Sequence, residues 1–337
     1  MSYHYGQSRF WEMFPGLLVW GTFSLALILS FFQPLWVIIF IIVFDLLWLF
    51  RVVYFNLFVV ISWMRYKKAN KTDWQNLLAT VPGSQNIRHL VLLPTYKEGY
   101  EIIRSTLRSL KENKAPNDRL WVALGGEEAD QEAFEKIVRR AEQEFGSTFG
   151  YFTATLHPQG LPGEIPGKGS NLHWMGEELE KRLQERFPDV ADEDIVVSAF
   201  DIDTIAHPQY FSYLTYLYAT VENPTRSSYQ PIAMFSNNIW SANAPVRIGA
   251  FGTPFWLFGE LTRSERLWTF SSHSMPWKML KDVGFWQKDI VSEDSRIFMQ
   301  AFLHYHGEYR VTPMFLPVSM DAVTGATYWE SMKALYV

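Results

Sequence analysis

The amino-terminal part of the chain is almost continuously apolar. Phe14 to Phe32 contains no charged residue, and at 1.5 Å per residue about 19 helical residues nearly cover a hydrocarbon core of roughly 30 Å. Leu35 to Met64 is a second apolar run, interrupted only by Asp45, Arg51 and Asn56. A cleaved signal peptide would end in small residues, whereas the first run ends in two phenylalanines, a glutamine and a proline. The pattern therefore predicts two transmembrane helices that stay attached.

Basic residues follow the second run directly, and they are Arg65, Lys67, Lys68 and Lys71. Only Gln33 and Pro34 separate the two runs, so the positive charge lies on the side of the main body of the chain. Cytoplasmic segments carry the excess of lysine and arginine next to membrane spans. We therefore expect a membrane hairpin over residues 1–66 with a cytoplasmic amino terminus, an interfacial linker over 67–85 and a cytoplasmic domain over 86–337.

Short apolar runs alternate with amphipathic stretches from His89 onward. The predicted strands are His89 to Leu93, Leu120 to Leu124, Tyr151 to Leu156 and Ile195 to Phe200, and the predicted helices are Glu101 to Asn113, Asp130 to Phe145 and Asn171 to Phe187. This alternation is typical of an α/β domain with a mainly parallel sheet flanked by helices. Ligands of such sheets bind outside the carboxyl ends of the strands, so the chemistry is expected there.

The composition narrows the range of partners. The formal net charge is -5 and no arginine-rich stripe with interleaved aromatics is present, so we expect no nucleic-acid partner. The chain contains no cysteine. This excludes a disulfide framework, a thiolate metal site and a cysteine nucleophile.

Two acidic pairs are candidates for chemistry. Asp201 and Asp203 follow the fourth predicted strand, and two such carboxylates can bind one divalent cation that completes its shell with phosphate oxygens. Glu293 and Asp294 precede an amphipathic stretch, Ser295 to His304. These acids are either a general base that takes a proton from a hydroxyl or favourable partners of a helix dipole.

Two loops are candidates for ligand binding. Glycines beside Lys168, just before a predicted helix, favour an anion at the helix amino terminus, although an N-cap at Ser170 or Asn171 explains the same residues. The segment Pro94 to Glu98 offers an aromatic ring and a carboxylate to a nucleobase. The alternative is an ordinary turn that proline begins.

Taken in this order, these segments resemble the family 2 glycosyltransferases of the GT-A fold, particularly the membrane-embedded synthases related to cellulose and hyaluronan synthases. The resemblance covers roughly residues 86–335 and the preceding membrane pair. It implies an inverting transfer of a sugar from a nucleotide-sugar, by precedent a UDP-sugar, to a glycan, lipid or other hydroxyl acceptor. It also implies a divalent metal, Mg or Mn, and a location in the plasma or inner membrane.

The resemblance assigns a role to each matching position. It implies nucleoside contacts by Thr95, Tyr96, Glu98 and Glu127, donor contacts by Lys168, Asn171 and Asp201, a metal contact by Asp203, and a catalytic base at Asp294 with Glu293 beside it. Two positions depart from the family. Lys97 stands where asparagine is usual, and Gly125 to Glu128 stand where many relatives carry an aspartate pair.

The carboxyl-terminal residues from Tyr328 resemble the approach to the family's Gln-x-x-Arg-Trp segment, but the sequence stops before it. We therefore expect either a fragment of a longer synthase with further membrane helices or a short form. Two other functions remain open. One is a polyprenyl-phosphate glycosyltransferase, which needs no polymer channel, and the other is a noncatalytic nucleotide-sugar-binding membrane module.

Overall fold

The structure is a computed structural model that describes residues 9–325 and 327–334. The predicted cytoplasmic amino terminus, residues 1–8, and the last three residues lie outside this part. The chain divides into two compact units, one ending at Leu57 and the other beginning at Phe58.

The first two helices contain the predicted membrane segments. Helix α1 is Arg9–Phe32 and helix α2 is Pro34–Lys71. Both are long and apolar enough to cross a membrane, and their most apolar windows are 0% and 6% buried. A core helix of a soluble protein would be mostly buried. Helix α2 continues past the predicted end of the span and includes the basic residues up to Lys71.

The described residues of the second unit form eight strands and the helices between and around them. Its strands are β1 Arg88–Pro94, β2 Leu120–Glu127, β3 Tyr151–His157, β4 Ile195–Ala199, β5 Ile205–Ala206, β6 Ser227–Phe235, β7 His273–Pro276 and β8 Arg310–Met320. Its helices are α3 Trp74–Leu78, α4 Tyr100–Lys111, α5 Gln131–Phe145, α6 Lys168–Arg186, α7 Tyr210–Thr220, α8 Ala244–Glu260, α9 Trp277–Val283, α10 Glu293–His304 and α11 Tyr328–Ala334. The four predicted strands and three predicted helices are confirmed, with shifted ends.

All eight strands form one mixed sheet in the order β3-β2-β1-β4-β7-β6-β8-β5. The half β3-β2-β1-β4 is parallel throughout, as predicted. In the other half, β7 is antiparallel to β4 and β6, β5 is antiparallel to β8, and only β6 and β8 are parallel. The prediction of a mainly parallel sheet therefore holds for the first half alone, because β7 enters the sheet in the reverse direction.

The end of β2 differs from the prediction, since the strand does not stop at the glycines. Gly125 pairs with Pro94 of β1 and with Thr155 of β3, and β2 ends at Glu127. A Cβ on Gly125 would lie 2.3 Å from the sulfur of Met175 in α6. The glycine therefore permits close packing of α6 on the sheet and does not end the strand.

Helix α6 begins earlier than predicted. Its first residue is Lys168 and its N-cap is Gly167, so the alternative of an N-cap at Ser170 or Asn171 is wrong. Both residues lie buried in the first turn, where the Ser170 hydroxyl donates to the carbonyl of Gly167 at 2.9 Å. The earlier start puts the Lys168 side chain at the amino end of the helix.

Candidate active site

A cavity of about 880 Å3 opens at the carboxyl ends of the parallel strands. Eight of the ten predicted site residues line it, namely Thr95, Tyr96, Glu98, Glu127, Lys168, Asn171, Asp201 and Asp203. They come from loops and strand ends far apart in the sequence. The other two, Glu293 and Asp294, are connected to this group through Lys168.

The turn after β1 is built by the carboxylate of Glu98. One oxygen of this carboxylate accepts a hydrogen bond from the Thr95 hydroxyl at 2.7 Å and another from the Tyr96 amide at 2.5 Å. Between them, Lys97 has a φ of 68°. Asparagine is enriched in this left-handed region among residues other than glycine. Lys97 therefore adopts this turn at some conformational cost.

The end of β2 is joined to β3 by a chain of ionisable side chains. His157 lies between two carboxylates, with Nδ1 2.8 Å from Glu127 and Nε2 3.0 Å from Glu164. Lys288 lies 3.3 Å from the other oxygen of Glu164. The Glu127 side chain is thereby fixed at the wall of the cavity. An acid from the end of β2 therefore lines the cavity.

Asn171 connects α6 to the sheet. Its amide donates to the carbonyl of Gly125 at 3.2 Å, and the same carbonyl accepts from the Thr95 amide at 2.7 Å. The Asn171 side chain thus holds the helix carrying Lys168 against the two strands whose ends form the cavity.

Lys168 lies at the centre of a cluster of three carboxylates. Its Nζ is 2.6 Å from Asp201, 3.0 Å from Asp294 and 3.5 Å from Glu293. Burial alone would lower the pKa of Lys168, but the three carboxylates outweigh it and raise the pKa well above its usual range. The lysine is therefore a permanent cation. It joins the acid after β4 to the acidic pair that begins α10.

Each carboxylate of the cluster responds differently to its surroundings. Burial raises the pKa of Asp201, but the charge of Lys168 opposes it and the net pKa is lowered. The Ser271 hydroxyl also donates to Asp201. Burial and the charge of Asp294 raise the pKa of Glu293. Since the Asp294 side chain is 22% exposed against 8% for Glu293, Asp294 is the more accessible of the acidic pair.

Asp203 lies in a different environment. Burial, and then the charges of Asp201 and Asp321, raise its pKa to about 6. Its carboxylate accepts from the backbone amide of Asp321 at 2.9 Å. Within the described chain, neither Asp203 nor Asp321 forms an ion pair with a lysine or arginine. This corner of the cavity therefore has negative charge without a protein cation.

Three residues of the site were not predicted. His157 and Glu164 brace Glu127, and Asp321 lies beside Asp203 on the cavity wall. The sequence contained a signal for Asp321, because this acid directly follows the last residue of the largely apolar strand β8. Asp201 likewise lies two residues after the last residue of the largely apolar strand β4. His157 and Glu164 lie in a stretch with no periodicity that would mark them.

A divalent metal would find part of its shell here. Among residues 9–325 and 327–334, no group of three or more histidine, aspartate or glutamate side chains is arranged to hold a metal ion. Magnesium sites in phosphate-transferring proteins commonly use one or two carboxylates and take their other ligands from water and substrate phosphates. Asp203 and Asp321, with their uncompensated charge, fit that kind of partial site.

Comparison with known proteins gives neither a family nor a function. No family model matches the chain, and no curated protein matches it. Among solved structures, it is similar to the mannosyltransferase PcManGT from Pyrobaculum calidifontis in complex with GDP-Man and Mn2+, with 18% identity, a TM-score of 0.49, and coverage of 85% of this chain and 70% of that one. For S. aureus TarS 1-349 in complex with UDP-GlcNAc, identity is 12%, the TM-score is 0.44, and coverage is 73% of this chain and 65% of that one. Both TM-scores are below 0.5, and both identities are below 25%.

Proposed function

We propose that this chain is a membrane-anchored glycosyltransferase of GT-A type that transfers a sugar from a nucleotide-sugar donor to a hydroxyl acceptor. The supporting observation is the convergence of the predicted residues. Eight of them line one cavity, and Lys168 connects the remaining two to it. These residues belong to separate sequence motifs, and a donor-binding function requires that they meet at one site.

Two groups of residues that line the cavity suit the parts of a donor. Tyr96, Glu98 and Glu127 give an aromatic face and carboxylate acceptors that suit the nucleoside, whose bases carry N–H donors. The amino end of α6, with Lys168, suits the diphosphate. A divalent metal bound at Asp203 and Asp321 would neutralise the charge of the leaving diphosphate.

Asp294 is the proposed general base. Its carboxylate takes the proton of the acceptor hydroxyl while that oxygen forms a bond to the anomeric carbon and the bond from this carbon to the donor phosphate breaks. The nucleoside diphosphate leaves, and attack from the opposite face inverts the anomeric configuration. This role is supported by the partial exposure of Asp294 and by its ion pair with Lys168, a residue that lines the cavity.

Helices α1 and α2 are proposed to span the membrane, with residues 86–337 in the cytoplasm. Support comes from their length, their apolar composition and their nearly complete exposure. The basic residues that end α2 favour the cytoplasmic side.

The first test is calorimetric titration of the detergent-solubilised chain with UDP and with GDP, each with and without Mn2+. We expect one nucleotide to bind in a metal-dependent manner, and Asp203→Ala to abolish the metal dependence. Binding without donor hydrolysis or transfer would favour the noncatalytic alternative. If folded protein bound neither nucleotide, the proposed donor site would be wrong.

A further inference from the structure

Helix α8 presents an apolar face to the outside of the second unit. Every residue of α8 classed as exposed is alanine, glycine or a large apolar residue. Ile248, Phe251 and Trp256 are exposed by 75%, 65% and 49%, and Trp240, just before the helix, by 85%. Exposed residues at this spacing lie along one side of a helix. A water-facing helix would carry charged residues on that side.

The opposite side of α8 is part of the folded unit. Val246 and Leu257 are buried, and the helix packs against β6. Val246 belongs to a small apolar cluster with Ile239, Ala242 and Ala322, against which Phe235 of the cavity wall packs. The helix is therefore firmly placed, and its exposed apolar residues are not the result of a loosely attached segment.

The carboxyl end of α8 is fixed to the last part of α2, within the same unit. The rings of Tyr66 and Phe258 are 6.4 Å apart, and the Arg263 guanidinium lies 5.2 Å from the ring centre of Phe58. The Thr262 hydroxyl forms a hydrogen bond with Ser62. These contacts place the end of α8 where α2 changes from apolar sequence to its basic end.

We propose that the exposed face of α8 rests on the bilayer surface, with its aromatic residues among the lipid headgroups. The position of α8 indicates that this face contacts a bilayer. The carboxyl end of α8 contacts α2 where the proposed membrane span ends. Interfacial helices combine tryptophan and phenylalanine on one face with basic residues beside it. Arg247 supplies such a charge, since it caps the carbonyls of Ala242 and Trp240 and, among the described residues, pairs with no carboxylate.

The inference rests on the proposed membrane location of α2 and adds a second point of contact with the bilayer. Contact of both α2 and α8 with the bilayer would fix the orientation of the second unit on the membrane surface. The cavity wall at Phe235 would then keep a constant distance from the bilayer surface and a constant orientation to it. This suits an acceptor that is itself held at the membrane.

The absence of cysteine from the chain allows a clean test. Single-cysteine variants Ile248→Cys and Phe251→Cys are labelled with a nitroxide in the full chain, reconstituted in bilayers of phosphatidylcholine and phosphatidylglycerol. Leu47→Cys in α2 serves as the reference for lipid. Leu303→Cys in α10 is the matched control, because Leu303 is 66% exposed and Phe251 65%. Collision of each label is measured with oxygen, which concentrates in lipid, and with a water-soluble nickel complex.

We expect labels at 248 and 251 to lose most of their collisions with the nickel complex and to gain collisions with oxygen relative to 303. If 251 behaves like 303 while 47 reports lipid, the inference is overturned and the membrane location of α2 stands. If 47 itself meets the nickel complex freely, the membrane location fails and the inference with it. Shielding from both reagents, with broadening between labels, would show a second copy of the chain on this face and also overturn the proposal.

Discussion

Asp201 and Asp203 are separated by one residue, yet they occupy two electrostatically different regions of the same cavity. Asp201 belongs to the Lys168 cluster, where a half-buried cation and a serine hydroxyl hold its pKa low. Asp203 lies beside Asp321, where no lysine or arginine of the described residues pairs with either acid, and its pKa is raised to about 6. The two carboxylates of one short motif therefore differ in their compensation. Asp201 is paired with Lys168, whereas Asp203 is the carboxylate at which we propose that a divalent cation binds.

The largest expected effect concerns the acid that Lys168 connects to the cavity. We expect Asp294→Asn to lower the rate of sugar transfer by about 1000-fold, within the usual range for loss of a general base, and to change donor affinity little. Transfer is measured with radiolabelled donor and binding by calorimetry. The control is Asp289→Asn, an exposed acid a few residues earlier. Retention of the rate in the Asp294 variant would exclude it as the base.

The Lys168 cluster should also be a centre of stability. Lys168→Met leaves three carboxylates close together without their cation. The expected cost lies between that of an exposed pair, about 1 kcal/mol or less, and that of a fully buried pair, about 3 kcal/mol or more, because the cluster is half-buried. We expect a clearly lower midpoint of thermal unfolding in detergent. Lys181→Met is the matched control, because Lys181 pairs with Glu178 at 3.1 Å but is 69% exposed. Equal midpoints for the two variants would contradict the central role of Lys168.

The two aspartates should respond to pH with opposite signs. The raised pKa of folded Asp203 means that its ionisation costs stability as pH rises through about 6. Without divalent metal, Asp203→Asn is therefore expected to stabilise the protein by about 1 to 2 kcal/mol at pH 8, with the gain lost below about pH 4. Asp201→Asn should destabilise at pH 8, because the lowered pKa of Asp201 contributes stability above its unfolded pKa. Thermal unfolding of both variants and of the unmodified protein, measured at pH 8 and at about pH 4, checks the signs of these changes in stability.

Added Mn2+ sharpens the same experiment. The ion should raise the unfolding midpoint of the unmodified chain at pH 8, since a ligand that binds only the folded state stabilises it. Asp203→Asn should show little response. If both proteins responded equally, the metal would bind elsewhere.

The smallest expected effect concerns Asp321. Its charge is one of the causes that raise the pKa of Asp203, while its backbone amide donates to that carboxylate in any variant. Asp321→Asn should therefore lower the pH, about 6 in the unmodified protein, at which the loss of metal-free stability with rising pH levels off, and it should raise stability at pH 8 by about 1 kcal/mol or less. An unchanged pH profile would show that Asp321 does not act on Asp203 electrostatically.

The parallel half of the sheet was predictable because its strands are buried on both faces and are therefore continuously apolar. Leu90 to Leu93 in β1 and Val196 and Val197 in β4 are fully buried. The other half was not predicted. Strand β6 contains Pro231, and β8 contains Pro313 and Pro317, residues that argue against a strand in the interior of a sheet. The pair accommodates them with a shift of register between Gln230 and Ile232.

The site was predictable where a motif directly follows a buried strand, and less so where partners come from distant elements. Asp201 and Asp203 follow β4, but Asp321 follows the strand that was not predicted. Lys168 pairs with Asp201, Asp294 and Glu293 because the end of β4 and the first turns of α6 and α10 lie close together. No local sequence pattern specifies that arrangement. The bracing of Glu127 by His157 depends likewise on the pairing of β2 with β3.

The glycines at the end of β2 restrict how this cavity can change over generations. A Cβ on Gly125 would lie 2.3 Å from the Met175 sulfur and 2.6 Å from Oδ1 of Asn171, and one on Gly126 would lie 2.4 Å from the ring of Phe134. A side chain at either position would therefore have to displace Met175 or Asn171 of α6, or Phe134 of α5. The close packing of these two helices on β2 limits which residues this wall of the cavity can acquire by a single substitution.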